Sequence, residues 1–242
     1  MKNEKKLILL FFINLTCFGQ TNLKSDICWD GTINNKIPIF IHYAIDDKVI
    51  IGEITYLNTK DKKPIKLIGY FEDKNSFKLF EFNKKGNITG IIIASPNKSE
   101  LKGTWVSPKT SKEIVLKAKI NETAKITSNY KVNPNAIFGD YHYSYGNFLW
   151  NGYFSIEKDK AKNIFFEIIS VGKGEAPSIA QIERDKIKLN GSSFVYKMPY
   201  SKNCEFKIKF YKDFVYVEDL GGDCVDHFGM GAYIDGIYLK TE

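Results

Sequence analysis

The residues best equipped for chemistry lie in one short stretch near the C-terminus, where Glu218, Asp219, Asp223 and Asp226 accompany His227. Carboxylates beside an imidazole are the parts of an acid–base pair or of a metal site. The spacing does not match a calcium loop, which needs ligands at alternate positions, a glycine and a closing glutamate. The other histidines, His42 and His142, are far away in sequence, and no H-x-x-x-H or C-x-x-C pattern occurs. Asp223, Asp226 and His227 therefore form the loop to test for chemistry, with a solvated, disulfide-pinned loop as the simpler reading. No metal and no cofactor is expected. There is no G-x-S-x-G, and Gly229-Met230-Gly231 precedes a strand, the wrong context for a dinucleotide.

Cys28, Cys204 and Cys224 remain once an N-terminal leader is set aside, and an oxidising compartment would join two of them. If Tyr211 pairs with Phe214 across Lys212-Asp213, the register puts Cys204 opposite Gly221, and Gly221-Gly222 can fold back to bring Cys224 across. The expected disulfide is Cys204–Cys224. Cys28, beside Trp29, is then a buried free thiol. A third group is aromatic: Tyr141, Tyr143 and Tyr145, followed by Phe148, Trp150, Tyr153 and Phe154. On an exposed face the three tyrosines would stack on a sugar or fill a protein cleft, whereas Trp150, Phe154 and Ile156 have the even spacing of a core face.

Strands must carry these groups. From residue 37 to 120 apolar residues alternate with period two, as in Ile37, Ile39, Ile41, Tyr43 and Ile45, and no 3.6-residue period lasts long enough for a helix. His42 falls opposite these isoleucines, beside Phe40 and Ala44, and is expected to face solvent. Turn compositions such as Asp46-Asp47 and 58–63 separate the runs into about eight strands, whose edges are best hidden by closure into a barrel. Residues 121–136 break the rhythm and read as a linker. A second unit follows, with strands at 139–145, 149–157, 163–171, 178–183, 186–189, 193–198, 204–211, 214–218 and 232–239. The expected fold is all-β: two successive antiparallel meander units, 20–120 and 137–242, each a small up-and-down, lipocalin-like barrel or a sandwich. Glycines beside aromatics, as at Gly69-Tyr70 and Gly152-Tyr153, suggest barrel bends or gaps filled by rings.

The chain of 242 residues opens with lysines followed by a short apolar run, the pattern of a signal peptide over 1–19 with Gln20 as the mature start. That run is too short for a permanent transmembrane span. Lipidation at Cys17 is the weaker alternative, because Asn14 and Thr16 depart from the lipoprotein pattern. The protein is expected to be exported, in the periplasm, at the surface or secreted. The net charge of +7 rests on lysines, with Arg184 the one arginine, and acids interleave with them, so nucleic acid is not an expected partner.

Two stretches carry a resemblance. Asp30-Gly31-Thr32-Ile33, Lys66-Leu67-Ile68-Gly69, Leu79-Phe80-Glu81-Phe82 and Lys102-Gly103-Thr104-Trp105 resemble a module of uncharacterised exported bacterial β-barrel proteins. Gly222-Asp223-Cys224 with the segment 229–238 is similar to small secreted barrels described as lysozyme-inhibitor-like. No inhibitory-loop residue is carried over. Together these readings imply a monomeric, non-enzymatic exported binding protein for an envelope or extracellular protein or glycan, including inhibition of a wall-degrading enzyme. The alternatives are a lipocalin-like carrier of a small apolar ligand, which needs an open barrel, and a hydrolase with an unrecognised site.

Overall fold

A computed structural model describes residues 25–146, 150–172, 177–229 and 231–241, apart from the side chains of Val225 and Asp226. The expected leader with Cys17, the mature start at Gln20, and Phe148 lie outside the described residues.

The alternation of the first unit produces eight strands: β1 (Ile27–Ile33), β2 (Ile37–Asp46), β3 (Val49–Tyr56), β4 (Ile65–Phe71), β5 (Phe77–Phe82), β6 (Ile88–Pro96), β7 (Glu100–Val106) and β8 (Glu113–Ile120). They pair antiparallel in chain order, and β1 returns to β8 through pairs such as Trp29 with Ile120, closing the barrel. Asn34 and Asn35 take φ of 57° and 53° in the tight β1–β2 turn, a conformation asparagine tolerates better than most residues. Ile41, Ile54, Leu67, Phe77 and Leu79 fill the interior and are fully buried.

The second unit contains β9 (Gly139–Tyr145), β10 (Trp150–Lys158), β11 (Ile164–Val171), β12 (Ile179–Ile187), β13 (Ser193–Lys197), β14 (Glu205–Phe210), β15 (Phe214–Asp219) and β16 (Gly236–Lys240). Their sheet order is β12-β11-β10-β9-β16-β15-β14-β13. The first strand pairs with the last, so the cyclic order is that of an up-and-down barrel whose one unpaired seam lies between β12 and β13. Side chains cross that seam: the Tyr196 hydroxyl donates to Asp185 at 2.9 Å, and Phe166 packs edge-on against Phe194 and Tyr196.

Two strand boundaries differ from expectation. The segments 178–183 and 186–189 are one strand, because a register shift between Phe166 and Ile168 on the partner strand absorbs the polar run that reads as a turn. Within it Arg184 lies over the Phe165 ring at 3.7 Å and bonds Glu157 at 2.6 Å. The last strand begins at Gly236 and not at residue 232. Ala232 and Ile234 are nevertheless buried, and this burial produces the misleading alternation.

An apolar contact joins the barrels. Val49, Ile51, Ile68 and Phe82, on the outer face of the first, meet Tyr211, Phe214, Ile237 and Leu239 of the second. Lys66–Asp213, Lys209–Asp46 and Lys48–Glu218, each at 2.7 Å, ring this contact. Such partly exposed pairs add modestly, so the buried apolar area dominates the stabilisation.

Candidate functional site: two clefts between the barrels

Several clefts open around the apolar contact, the largest of about 870 Å³ beside Lys66, Phe82, Asp213 and Leu239, and two others gather the residues with the most distinctive chemistry. The first, of about 540 Å³, is lined by His42, Glu53, Lys66, Tyr130 and Asp213 among others. His42 is on the outer barrel face, as the alternation requires, but it is only 8% exposed. The expectation that it faces solvent is therefore corrected. The connecting chain crosses over it: Asp26 N–H donates to Ile126 at 2.8 Å, and Ser128 donates its N–H and hydroxyl to the Asp26 carboxylate at 3.0 and 2.5 Å. The same carboxylate, fully buried, lies 2.8 Å from His42 Nδ1, and Glu53 lies 3.4 Å from Nε2.

A buried aspartate that orients a histidine is half of a nucleophilic triad. Here the other half is not assembled. Ser128 bonds to the aspartate and not to the imidazole, and Glu53 faces the outer ring nitrogen where a nucleophile would stand. The arrangement ties the connecting strap to the first barrel. Cys28, free and buried nearby, has its thiol pKa raised by burial and then by Asp26.

The second cleft, of about 370 Å³, is aromatic. Tyr70 and Phe80 come from the outer face of the first barrel, while Tyr145, Trp150 and Tyr233 come from one end of the second. Tyr233 is 54% exposed. Lys78 lies on the cleft wall with its ammonium 5.6 Å from the Phe80 ring centre. Asp235 stands at the mouth, where crowding strips part of its water and raises its pKa, Asp219 adding to the shift. Burial, with help from Asp235 and Glu72, pushes the Tyr70 hydroxyl up to about 12. Glycines let the rings sit close: a Cβ on Gly152 would overlap Tyr143 and come within 2.6 Å of Tyr238, and one on Gly172 would come within 2.6 Å of Trp150.

The three tyrosines expected to bind take different positions. Tyr141 is buried in the second core, its hydroxyl donating to Ile137 at 2.5 Å, so its expected outward role is corrected. Tyr143 packs against Tyr238, with its hydroxyl 2.8 Å from the buried Ser170 Oγ, and forms the inner wall of the aromatic cleft. Tyr145 is at the rim. All three point the same way along β9, which runs from the core of the barrel to its end.

The His227 loop is pinned by a disulfide. Cys204 and Cys224 are joined, with Cα atoms 4.7 Å apart, and the expected register holds, since Phe206 pairs with Asp219 and Tyr211 N–H donates to Phe214. Gly221 and Gly222 take φ of 93° and 103°, which makes the fold-back of the chain possible. Asp223 accepts the N–H groups of Asn203 and Lys202, each at 3.2 Å, and these bonds hold its carboxyl pKa low. His227 is 3.9 Å from Asp223 and has no shorter carboxylate contact among the described residues. The Asp226 side chain lies outside the described residues.

Another polar group was missed by the sequence reading. Glu81 shares the inward face of β5 with Phe77 and Leu79, and its carboxylate accepts from Tyr56 Oη at 2.7 Å and Trp105 Nε1 at 2.8 Å. Burial raises its pKa, and no cation offsets that penalty. The inward period-two position was the available signal. Nothing comparable marks the Asp26–His42 pair or the aromatic cleft, whose members are distant in sequence. Among the described residues no group of three His, Cys, Asp or Glu side chains converges as a metal site would require. Comparison of the chain with known protein families, with characterised proteins and with solved structures finds no match.

Proposed function

We propose that the chain is an exported, non-enzymatic binding protein, and that it meets an envelope or extracellular partner at the aromatic cleft between its barrels. The observation that carries this reading is the set of rings, Tyr70, Phe80, Trp150 and Tyr233, gathered from both units into one concavity, with Tyr233 more than half exposed. Rigid rings supply contact area at small entropic cost, and a concave apolar wall with a few polar groups is the usual form of a binding site. The Cys204–Cys224 disulfide supports an oxidising compartment, and no described helix is long and apolar enough to cross a membrane. The packed interior of the first barrel gives the carrier alternative no chamber there. In the Asp26–His42–Glu53 group Ser128 bonds the aspartate and not the imidazole, which speaks against the hydrolase alternative in that cleft. The likeness of the C-terminal tail to lysozyme-inhibitor-like barrels adds a wall-degrading enzyme to the partners to be presented.

The test is affinity capture from the producing cell's envelope with the full chain and with Tyr233→Ala, bound protein and glycan being identified by mass spectrometry. A partner retained by the parent and lost by the variant supports the reading. Equal capture by both overturns it.

A further inference from the structure

We infer that the aromatic cleft is a glycan site for a short saccharide of neutral or amino-bearing sugars; this rests on the binding reading above and names the ligand. A pyranose presents two surfaces, an apolar C–H face and an equatorial rim of hydroxyls. The cleft presents their complements. Phe80, Trp150 and Tyr233 line the cleft with apolar ring surface, and Asp235, Lys78 and Tyr70 add polar groups to the same lining. A volume near 370 Å³ is at the lower end for small-ligand pockets, suited to a few sugar rings and not to a folded domain.

Competing ligand classes fit less well. An extended peptide is held by main-chain hydrogen bonds at a free sheet edge. The strands that wall this cleft, β4, β5, β6, β9, β10 and β16, each have a hydrogen-bonded neighbour on both sides. An acyl chain needs an enclosed apolar channel, whereas this cleft is open and carries Asp235 and Lys78. Acidic sugars and nucleotides would bring negative charge to a carboxylate. The lining carries one carboxylate, Asp235, and one ammonium, Lys78, so it has no excess of positive charge to hold an acidic ligand. An amino group on the sugar would instead pair with Asp235.

The test titrates the full chain by calorimetry with cellobiose, di-N-acetylchitobiose, the glucosamine disaccharide and digalacturonate, alongside Tyr233→Ala and Trp150→Ala variants whose folding is checked by circular dichroism. At least one neutral or amino disaccharide should bind, at least tenfold more tightly than digalacturonate, and each variant should weaken it at least tenfold. The inference is overturned if no neutral or amino disaccharide binds at about 10 mM, where even a millimolar site fills. It is equally overturned if binding survives in both variants or favours the acidic sugar. If Tyr233→Ala loses an envelope protein while no saccharide binds, the glycan class fails and the binding reading stands. Unchanged envelope capture by that variant removes the binding reading itself.

Discussion

The two clefts flank the same apolar contact and are similar in scale, yet they differ in what their walls leave unmet. In the charged cleft the strong groups satisfy one another: Asp26 holds both His42 and Ser128, Glu53 faces the other ring nitrogen, and Lys66 pairs with Asp213. The aromatic cleft is lined by Tyr70, Phe80, Trp150 and Tyr233, of which Tyr233 is more than half exposed, and Asp235 lies among them. A concavity rich in titratable residues can thus be an internal joint, while one poor in them is the better binding surface. The disulfide-pinned loop belongs with the first kind, because Asp223 spends its capacity on backbone N–H groups.

The largest effect should come from breaking the joint. Asp26→Ala leaves His42 buried without its carboxylate and frees the strap at Ser128, so a loss of about 3–5 kcal/mol is expected in denaturant unfolding. Partner capture by the protein that remains folded should not change. Removing the bridge with Cys204→Ser and Cys224→Ser should cost about 3 kcal/mol, since it opens a loop with a sequence separation of 20. By contrast His227→Ala should stay within about 0.5 kcal/mol, the ordinary range for a residue with no strong partner.

Gly152→Ala sharpens the comparison from the other side. Its methyl group would press on Tyr143 and Tyr238, and about 1–3 kcal/mol of overpacking should appear in thermal melts, together with weaker ligand binding at the displaced wall. Glu81 tests burial without a counter-charge. Its raised pKa means that the folded state favours the neutral acid, so its contribution is greatest below the ordinary glutamate range and is lost as pH rises through the raised pKa. Melts of the parent and Glu81→Gln should therefore show the parent gaining on the variant as pH falls from 7 to 4. A constant gap would mean that Glu81 does not titrate across that interval.

Much of the fold was legible because a half-buried strand writes its two faces directly into the chain. Ile37 to Tyr43 gave an inward face, with Ile45 exposed beyond it at the end of the strand, and the Tyr211–Phe214 turn set the register that brings Cys204 near Cys224. The number of strands and the absence of helical period left a barrel and a sandwich open for the first unit, and the pairing of β1 with β8 decides for the barrel. The sites were less legible. Period two put His42 on the outer face correctly, but only the path of residues 126–130 shows that this face is covered. Tyr141, Tyr143 and Tyr145 share a face in sequence, yet β9 carries them from a sealed core to an open rim, so one stripe has three fates. The aromatic cleft joins Tyr70 and Phe80 to Trp150 and Tyr233, residues separated by a whole domain, and no local spacing could have grouped them.

The central claim is that the rings bind and the charged joint holds. Its most direct measurement compares Tyr233→Ala with His42→Gln for both melting temperature and capture of the envelope partner from the same preparations. Tyr233 is more than half exposed, so its truncation should leave stability within about 0.5 kcal/mol and abolish capture. His42→Gln should lower the melting temperature and leave capture intact. Capture that survives in Tyr233→Ala but is lost in a folded His42→Gln protein would contradict the account and move the site to the charged cleft.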